Sequence, residues 1–326
     1  MGIGYYRVPF ATTNTPHPPV TFARNLRDAH RDTVHAPGLG IVCMIAGGAI
    51  VTCSDGVIKA LPTSLPTGEL LFGRGLFALA LIAGLVFWRG GGWRALRVES
   101  VPGQAIRAFL MTASSFLFVF SLRHMPLAEA TVLLFVAPIL ITAMAALFLR
   151  ETVEIHRWSA VAVGFAGVVL VVRPDAGALN WAAIFALLAA FAAAVRDVLT
   201  RRLAAGESSI AILFYTTLGT TVAGGLTLPF EFRALVGREI ALLAASGTMV
   251  VFAHFLLIEA YRYAEAAATA PYKYLQLVVA AVLGYAFWDE VPDAWTVAGS
   301  ALIVAGGLYI ARREALHARS TRPADG

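Results

Sequence analysis

Apolar residues in this chain fall in long blocks rather than in the strict alternation of a half-buried strand. Ten blocks stand out, at 38–61, 67–88, 104–122, 127–149, 157–172, 179–199, 208–229, 239–260, 264–287 and 294–311. Each is close to the ~20 residues a helix needs to cross ~30 Å of hydrocarbon. Only helices and closed barrels satisfy every backbone group in lipid, and blocks of this length exclude the ~10-residue strands of a barrel. The pattern therefore predicts an all-α membrane protein with ten transmembrane helices. The fifth block is short and leans on His156 and Arg157 reaching back to the interface.

Composition sharpens this picture. The chain is 59% hydrophobic and 14% charged, against about 25% charged in a soluble domain. Its net charge of +5 comes from residues in short loops and tails, which orient a membrane protein, so no nucleic-acid partner is implied. With the N-terminus inside, Arg123, Arg173, Arg233 and Arg238 fall outside, and most of the other Lys and Arg residues outside the spans fall inside. Positive loops stay cytoplasmic, which predicts a multi-pass inner-membrane protein with both termini in the cytoplasm. Residues 1–37 are polar and basic, without the apolar core of a signal peptide, and are expected to be a disordered tail. Residues 314–326 are expected to form a second cytoplasmic tail. Cys43 and Cys53 lie ten positions apart on one predicted helix, ~15 Å of rise, too far for a disulfide.

The chain also echoes itself. "PLAEATVLLFVAP" (126–138) resembles "AEAAATAP" (264–271), and "LRETVEIHRWSAVAVGFAGVVLVVRP" (149–174) resembles "WDEVPDAWTVAGSALIVAGGLYIARR" (288–313). Asp55-x-x-x-Lys59 late in span one matches Asp197-x-x-x-Arg201 late in span six. Two copies, 38–175 and 176–313, follow, each with five spans. An odd number of spans inserts the second copy the opposite way, the arrangement that builds alternating access around a site between the halves.

On these residues the chain resembles the EamA-type permeases of the drug/metabolite transporter superfamily. "PLAEATVLLFVAPI" with Glu151, "GFAGVVLVVRP" and "APYKYLQLVVAAVLGYAFWDEVPDAWTVAGSALIVAGGLYI" carry the resemblance, which spans about 38–313. It implies ten helices in two inverted halves, a central cavity and movement of small metabolites in either direction. The pattern Asp55, Lys59, Arg74 and Lys273 is similar to that of members assigned to S-adenosylmethionine uptake. The resemblance implies no enzyme, and ten helices already supply both halves, so a working monomer is expected.

The polar residues inside the spans are the candidate chemistry. Lys273 lies ~13 Å into span nine at 1.5 Å per residue, too deep to snorkel easily. Pro271 frees a backbone carbonyl beside it, and Pro138 is its repeat-related counterpart in span four. Gln276 shares its helical face, and Tyr272 and Tyr274 flank it with rings able to stack on a planar solute. One reading is substrate binding; the other is an internal salt bridge, for instance with Asp55. Arg74 lies ~10 Å into span two and either grips a carboxylate or phosphate or pairs with Glu69 or Asp55. Asp55 and Lys59, four apart, pair along the helix, or Lys59 joins the binding set and Asp55 exchanges a proton. His254 is a packing residue or a second proton carrier. Asp197 and Arg201 read as an interfacial pair. Glu151 and Glu290 read as structural loop residues, and Glu129 and Glu265 as acids at positive helix ends.

No Walker motif, H-E-x-x-H, G-x-S-x-G or Cys/His cluster is present, so neither ATP drive, hydrolase chemistry, a metal nor a cofactor is implied. The sequence thus predicts a secondary transporter of a small polar metabolite that is amino-acid-, nucleoside- or vitamin-like and bears a carboxylate or phosphate. The alternatives are a non-transporting scaffold or sensor, which needs a dry centre, and a lipid-modifying enzyme, for which no convergent acid, base and nucleophile appear.

Overall fold

A computed structural model describes residues 37–88, 96–137, 139–140, 155–172, 181–203, 208–264, 269 and 272–320. Every regular element among them is a helix, and there are ten. They are α1 (Pro37–Lys59), α2 (Thr67–Trp88), α3 (Val101–Leu122), α4 (Leu127–Leu134), α5 (Ile155–Val172), α6 (Trp181–Leu203), α7 (Ser209–Thr227), α8 (Gly237–Tyr263), α9 (Leu275–Trp288) and α10 (Ala294–Ser320). Five described stretches are long and apolar enough to cross a bilayer: Gly38–Lys59, Thr67–Phe87, Val101–Leu122, Ser209–Thr227 and Gly237–Ala260. Exposed Val278, Val282 and Tyr285 line one face of α9, the side a helix turns to lipid.

Local chemistry sets the helix ends. Ser100 and Ser208 cap α3 and α7, accepting from Gly103 N at 3.2 Å and Ala211 N at 3.1 Å. Glu239 accepts from Val236 N at 3.0 Å at the start of α8. Asp289, at φ 54°, ends α9 in the left-handed conformation that aspartate tolerates better than most residues.

Two elements differ from the sequence expectation. The regular helix of span four ends at Leu134; Phe135 N bonds Val132 O at 2.9 Å and Val136 N bonds Leu133 O at 3.2 Å, a tighter turn. A proline four residues after Leu134 has no N–H for its carbonyl, which favours a break there. In span nine Tyr272 and Lys273 are helical, the run is interrupted at Tyr274, whose carbonyl accepts from Leu277 N at 3.0 Å, and α9 follows from Leu275. Pro138, Pro271, Glu151, Glu265, the tail at 1–36 and residues 321–326 lie outside the described residues. At the other end α10 runs past 313 to Ser320, through a helix-favouring Ala/Arg/Glu/Leu stretch.

The helices pack in a definite set of pairs. α1 lies on α8, α3 on α6, α5 on α10 and α2 on α7, with α2–α8, α3–α7, α1–α9, α4–α9 and α4–α6 as further neighbours. Small residues let several backbones meet, the usual device where lipid offers no hydrophobic drive. A Cβ on Gly299 of α10 would lie 2.6 Å from Gly167 O of α5, and one on Gly47 of α1 would lie 2.9 Å from Ala253 O of α8. The main core runs through Ile58, Leu70, Leu122, Leu133, Ile139 and Leu243.

Candidate functional site

A cavity of about 170 Å³ lies between helices of both halves of the sequence. Thr52 and Asp55 of α1 and Arg74 of α2 contribute to one side, Met111, Ser114 and Ser115 of α3 to another. Arg196 and Asp197 of α6, His254 of α8, and Lys273 and Gln276 at the start of α9 complete the polar wall. A smaller cavity of about 40 Å³ shares Arg74, Met111, Ser115 and His254 with it and extends to Arg107 of α3 and to Thr216, Thr217 and Thr220 of α7.

Helical spacing explains the grouping on α1. Gly48, Thr52 and Asp55 sit three to four residues apart and so share a face. The Thr52 hydroxyl donates back to Gly48 O at 3.0 Å. Gly48 is also where Gln276 docks: a Cβ there would lie 2.6 Å from Gln276 Nε2. Gln276 is 9% exposed, and that Nε2 is buried with no hydrogen-bond partner among the described residues. Arg74, also 9% exposed, faces Asp55 electrostatically without a hydrogen bond between them. A buried donor without an acceptor is costly, so Gln276 Nε2 is placed to meet an acceptor supplied by water or solute.

The opposite wall is ionic. Arg196 donates to Asp197 Oδ1 from Nη2 at 2.7 Å and from Nε at 3.0 Å. Asp197 Oδ2 lies 4.0 Å from Lys273 Nζ, the outer limit of an ion pair. His254 Nδ1 is 3.0 Å from Val250 O, so its local bond is to its own helix.

The structure thus brings together Asp55, Arg74, His254, Lys273 and Gln276 of the sequence-derived set. Lys59, Tyr272 and Tyr274 stand apart. Lys59 Nζ bonds Glu290 Oε1 at 2.5 Å and Met125 O at 2.9 Å at the far end of α1. It therefore does not pair with Asp55 along the helix. The Tyr274 ring packs 5.1 Å from Phe135 of α4, and its hydroxyl lies where a Cβ on Gly307 of α10 would be. Tyr272 is exposed. The counter-ion of Lys273 is Asp197 rather than Asp55, and Asp197 also pairs with its neighbour Arg196 in the cavity wall. The Arg201 side chain lies outside the described residues. Glu69 accepts from Arg233 N at 3.0 Å instead of pairing with Arg74. Arg196 and the Met111–Ser115 stretch were not singled out in the sequence; two serines inside an apolar span were the available signal.

Comparison with known proteins adds the family. The EamA-like transporter family model matches residues 38–173 and again 180–312. An S-adenosylmethionine uptake transporter of Rickettsia prowazekii is 30% identical over 80% of this chain and 89% of its own length. A riboflavin transporter of Rhizobium johnstonii is 28% identical, covering 85% and 92%. A pseudopaline exporter of Pseudomonas aeruginosa is 28% identical, covering 84% and 96%. One solved structure superposes with a TM-score of 0.61 at 20% identity over 85% of this chain and 96% of that one, so the fold is shared.

Proposed function

The chain belongs to the EamA-like transporter family and is a membrane transporter of small metabolites, and on that premise we propose that it moves a polar, carboxylate- or phosphate-bearing solute by alternating access. The observation that carries this is the cavity walled by Asp55, Arg74, Lys273 and Gln276, which come from both halves of the sequence. Gln276 Nε2 is a buried donor without an acceptor among the described residues; Arg74 and Lys273 add cations; Asp55 offers an acceptor for a cationic group. Such a wall suits a zwitterion, and S-adenosylmethionine or another amino-acid-like solute heads the candidates, ahead of nucleosides and riboflavin. At about 170 Å³ the cavity is smaller than the ~300 Å³ at which pockets for drug-sized ligands begin, so entry of such a solute requires the helices to part.

The helix pairing supports two inverted five-helix copies, 38–175 and 176–313. Shifting every helix number by five turns α1–α8 into α6–α3, α2–α8 into α7–α3 and α1–α9 into α6–α4. It returns α2–α7, α4–α9 and α5–α10 to themselves. A working monomer in the inner membrane with both termini cytoplasmic follows from this reading and from the charge pattern. Asp55 and His254 are the candidates for proton coupling; uniport is equally compatible with the wall.

A thermal-shift screen of the purified protein tests the site. S-adenosylmethionine, amino acids, nucleosides and riboflavin are the panel, and a true ligand at 100 times its Kd stabilises by ~2.7 kcal/mol. Arg74→Ala and Lys273→Ala are expected to abolish the shift while each variant remains folded. A shift that survives both substitutions overturns the assigned site, and a panel with no stabilising member overturns the solute class.

A further inference from the structure

We propose that Lys59 and Glu290 form a gate, an ionic latch between the halves that closes the Lys59 end of the bundle against the cavity. The proposal rests on the alternating-access reading but not on the identity of the solute.

The latch gathers three elements at one point. The Lys59 ammonium, on the last residue of α1, donates to Glu290 Oε1 at 2.5 Å and to Met125 O at 2.9 Å. It also lies 5.5 Å from the centroid of the Trp288 ring, within range of a cation–π contact. The second Glu290 oxygen accepts from Leu127 N, the first N–H of α4, at 3.0 Å. One carboxylate of the α9–α10 loop therefore ties the end of α1 to the start of α4, both from the other half. The pair is largely shielded from water, with side chains 10% and 22% exposed.

The chain is shaped to deliver it. Asp289 in the left-handed conformation reverses the backbone after α9, and Glu290 N then bonds Gly284 O at 3.1 Å. Gly284 leaves room above the helix: a Cβ there would lie 3.2 Å from Glu290 Oε2.

The same end of the bundle has a second inter-half tie of a different character. Arg233, in the α7–α8 loop, donates its N–H to Glu69 and its guanidinium to Ser64 and Glu239. That tie sits on α2 and α7, whose backbones are pressed together; a Cβ on Gly224 would lie 2.6 Å from Gly68 O. Such backbone contact cannot slide without breaking packing. Lys59 and Glu290 instead join α1, α4 and α9, where span four is interrupted after Leu134 and span nine at Tyr274. Segments with broken helical order are the ones able to move, and a charged pair can be broken and remade where a packed backbone cannot.

The test needs no solute. In a background with Cys43→Ser and Cys53→Ser, Ser115→Cys reports the cavity wall, and Thr63→Cys in the exposed α1–α2 loop identifies which vesicle orientation presents the Lys59 end. A membrane-impermeant maleimide is added from that side. Slow Ser115→Cys labelling is expected with the latch intact, at least tenfold faster labelling with Lys59→Met or Glu290→Gln, and labelling slower than in either single variant in the Lys59→Glu/Glu290→Lys swap, which restores the ion pair but not the bonds to Met125 O and Leu127 N. Should a single variant misfold, Glu290→Asp, which keeps the charge and shortens the reach, is read against the swap. Unchanged rates in the single variants, or a swap as fast as they are, overturn the gate. A failed solute screen leaves this result standing, and unchanged labelling leaves solute binding standing.

Discussion

At the scale of the residue, the cavity separates charge type from charge geometry. Arg74 presents a planar fork that stays protonated, whereas Lys273 presents a point charge already shared with Asp197. Replacing Arg74 with Lys keeps the charge and loses the fork. Arg74→Lys is therefore expected to weaken solute stabilisation by roughly tenfold or more in Kd, about 1.4 kcal/mol, in a thermal-shift titration. A variant that binds as the parent does would show that Arg74 acts only as a diffuse positive charge. The sequence reveals Arg74, Lys273 and Asp55 because a charged group far inside an apolar block has to meet water or a partner, and Gln276 because it shares the helical face of Lys273. It could not choose the partner. Lys59 lies four residues from Asp55 and a helical pair was the local expectation, but Glu290, 231 positions away, takes it. Tyr274 shows the same limit: its place beside Lys273 in sequence says nothing of the Phe135 ring and the Gly307 gap that fix it away from the cavity.

At the scale of the element, block lengths located the helices well, and their interruptions less so. The break after Leu134 was foreshadowed only by Pro138. The interruption at Tyr274 had Pro271 as its single warning, while Pro102, near the start of α3, sits at a helix N-terminus, where proline is well tolerated. Glycines carry sharper information once neighbours are known. Gly299 and Gly167 place α5 and α10 in backbone contact, so a side chain at 299 meets a carbonyl that cannot retreat. Gly299→Val is expected to cost about 1–3 kcal/mol by overpacking and to lower the melting temperature in detergent by several degrees. Gly84 on α2 is the matched control, since a Cβ added there would meet nothing within 4 Å. Gly84→Ala is expected to leave the melting temperature unchanged or slightly raised. Equal effects at the two positions would mean that the α5–α10 contact is looser than the structure has it.

At the scale of the whole molecule, the pairing pattern carries a consequence that neither half shows alone. The strongest helix partnerships, α1 with α8 and α3 with α6, cross between the proposed copies, as do α2 with α7 and α5 with α10. Each copy therefore completes its packing with the other, and neither is a closed bundle. Separate chains covering 1–175 and 176–326 are expected to assemble when expressed together and to co-purify through an affinity tag on either one. Each expressed alone is expected to be degraded or to aggregate, because its inter-copy helix faces lack partners. If the first chain alone gave a monodisperse, helical species with a cooperative melt, the halves would be self-sufficient domains. The cavity would then lie between two rigid bodies rather than inside one interlocked core. The distinction bears on transport, because interlocked copies would alternate access by bending spans four and nine at their interruptions after Leu134 and at Tyr274. The latch at Lys59 and Glu290 and the polar wall at Lys273 sit at opposite ends of that same pair of helices.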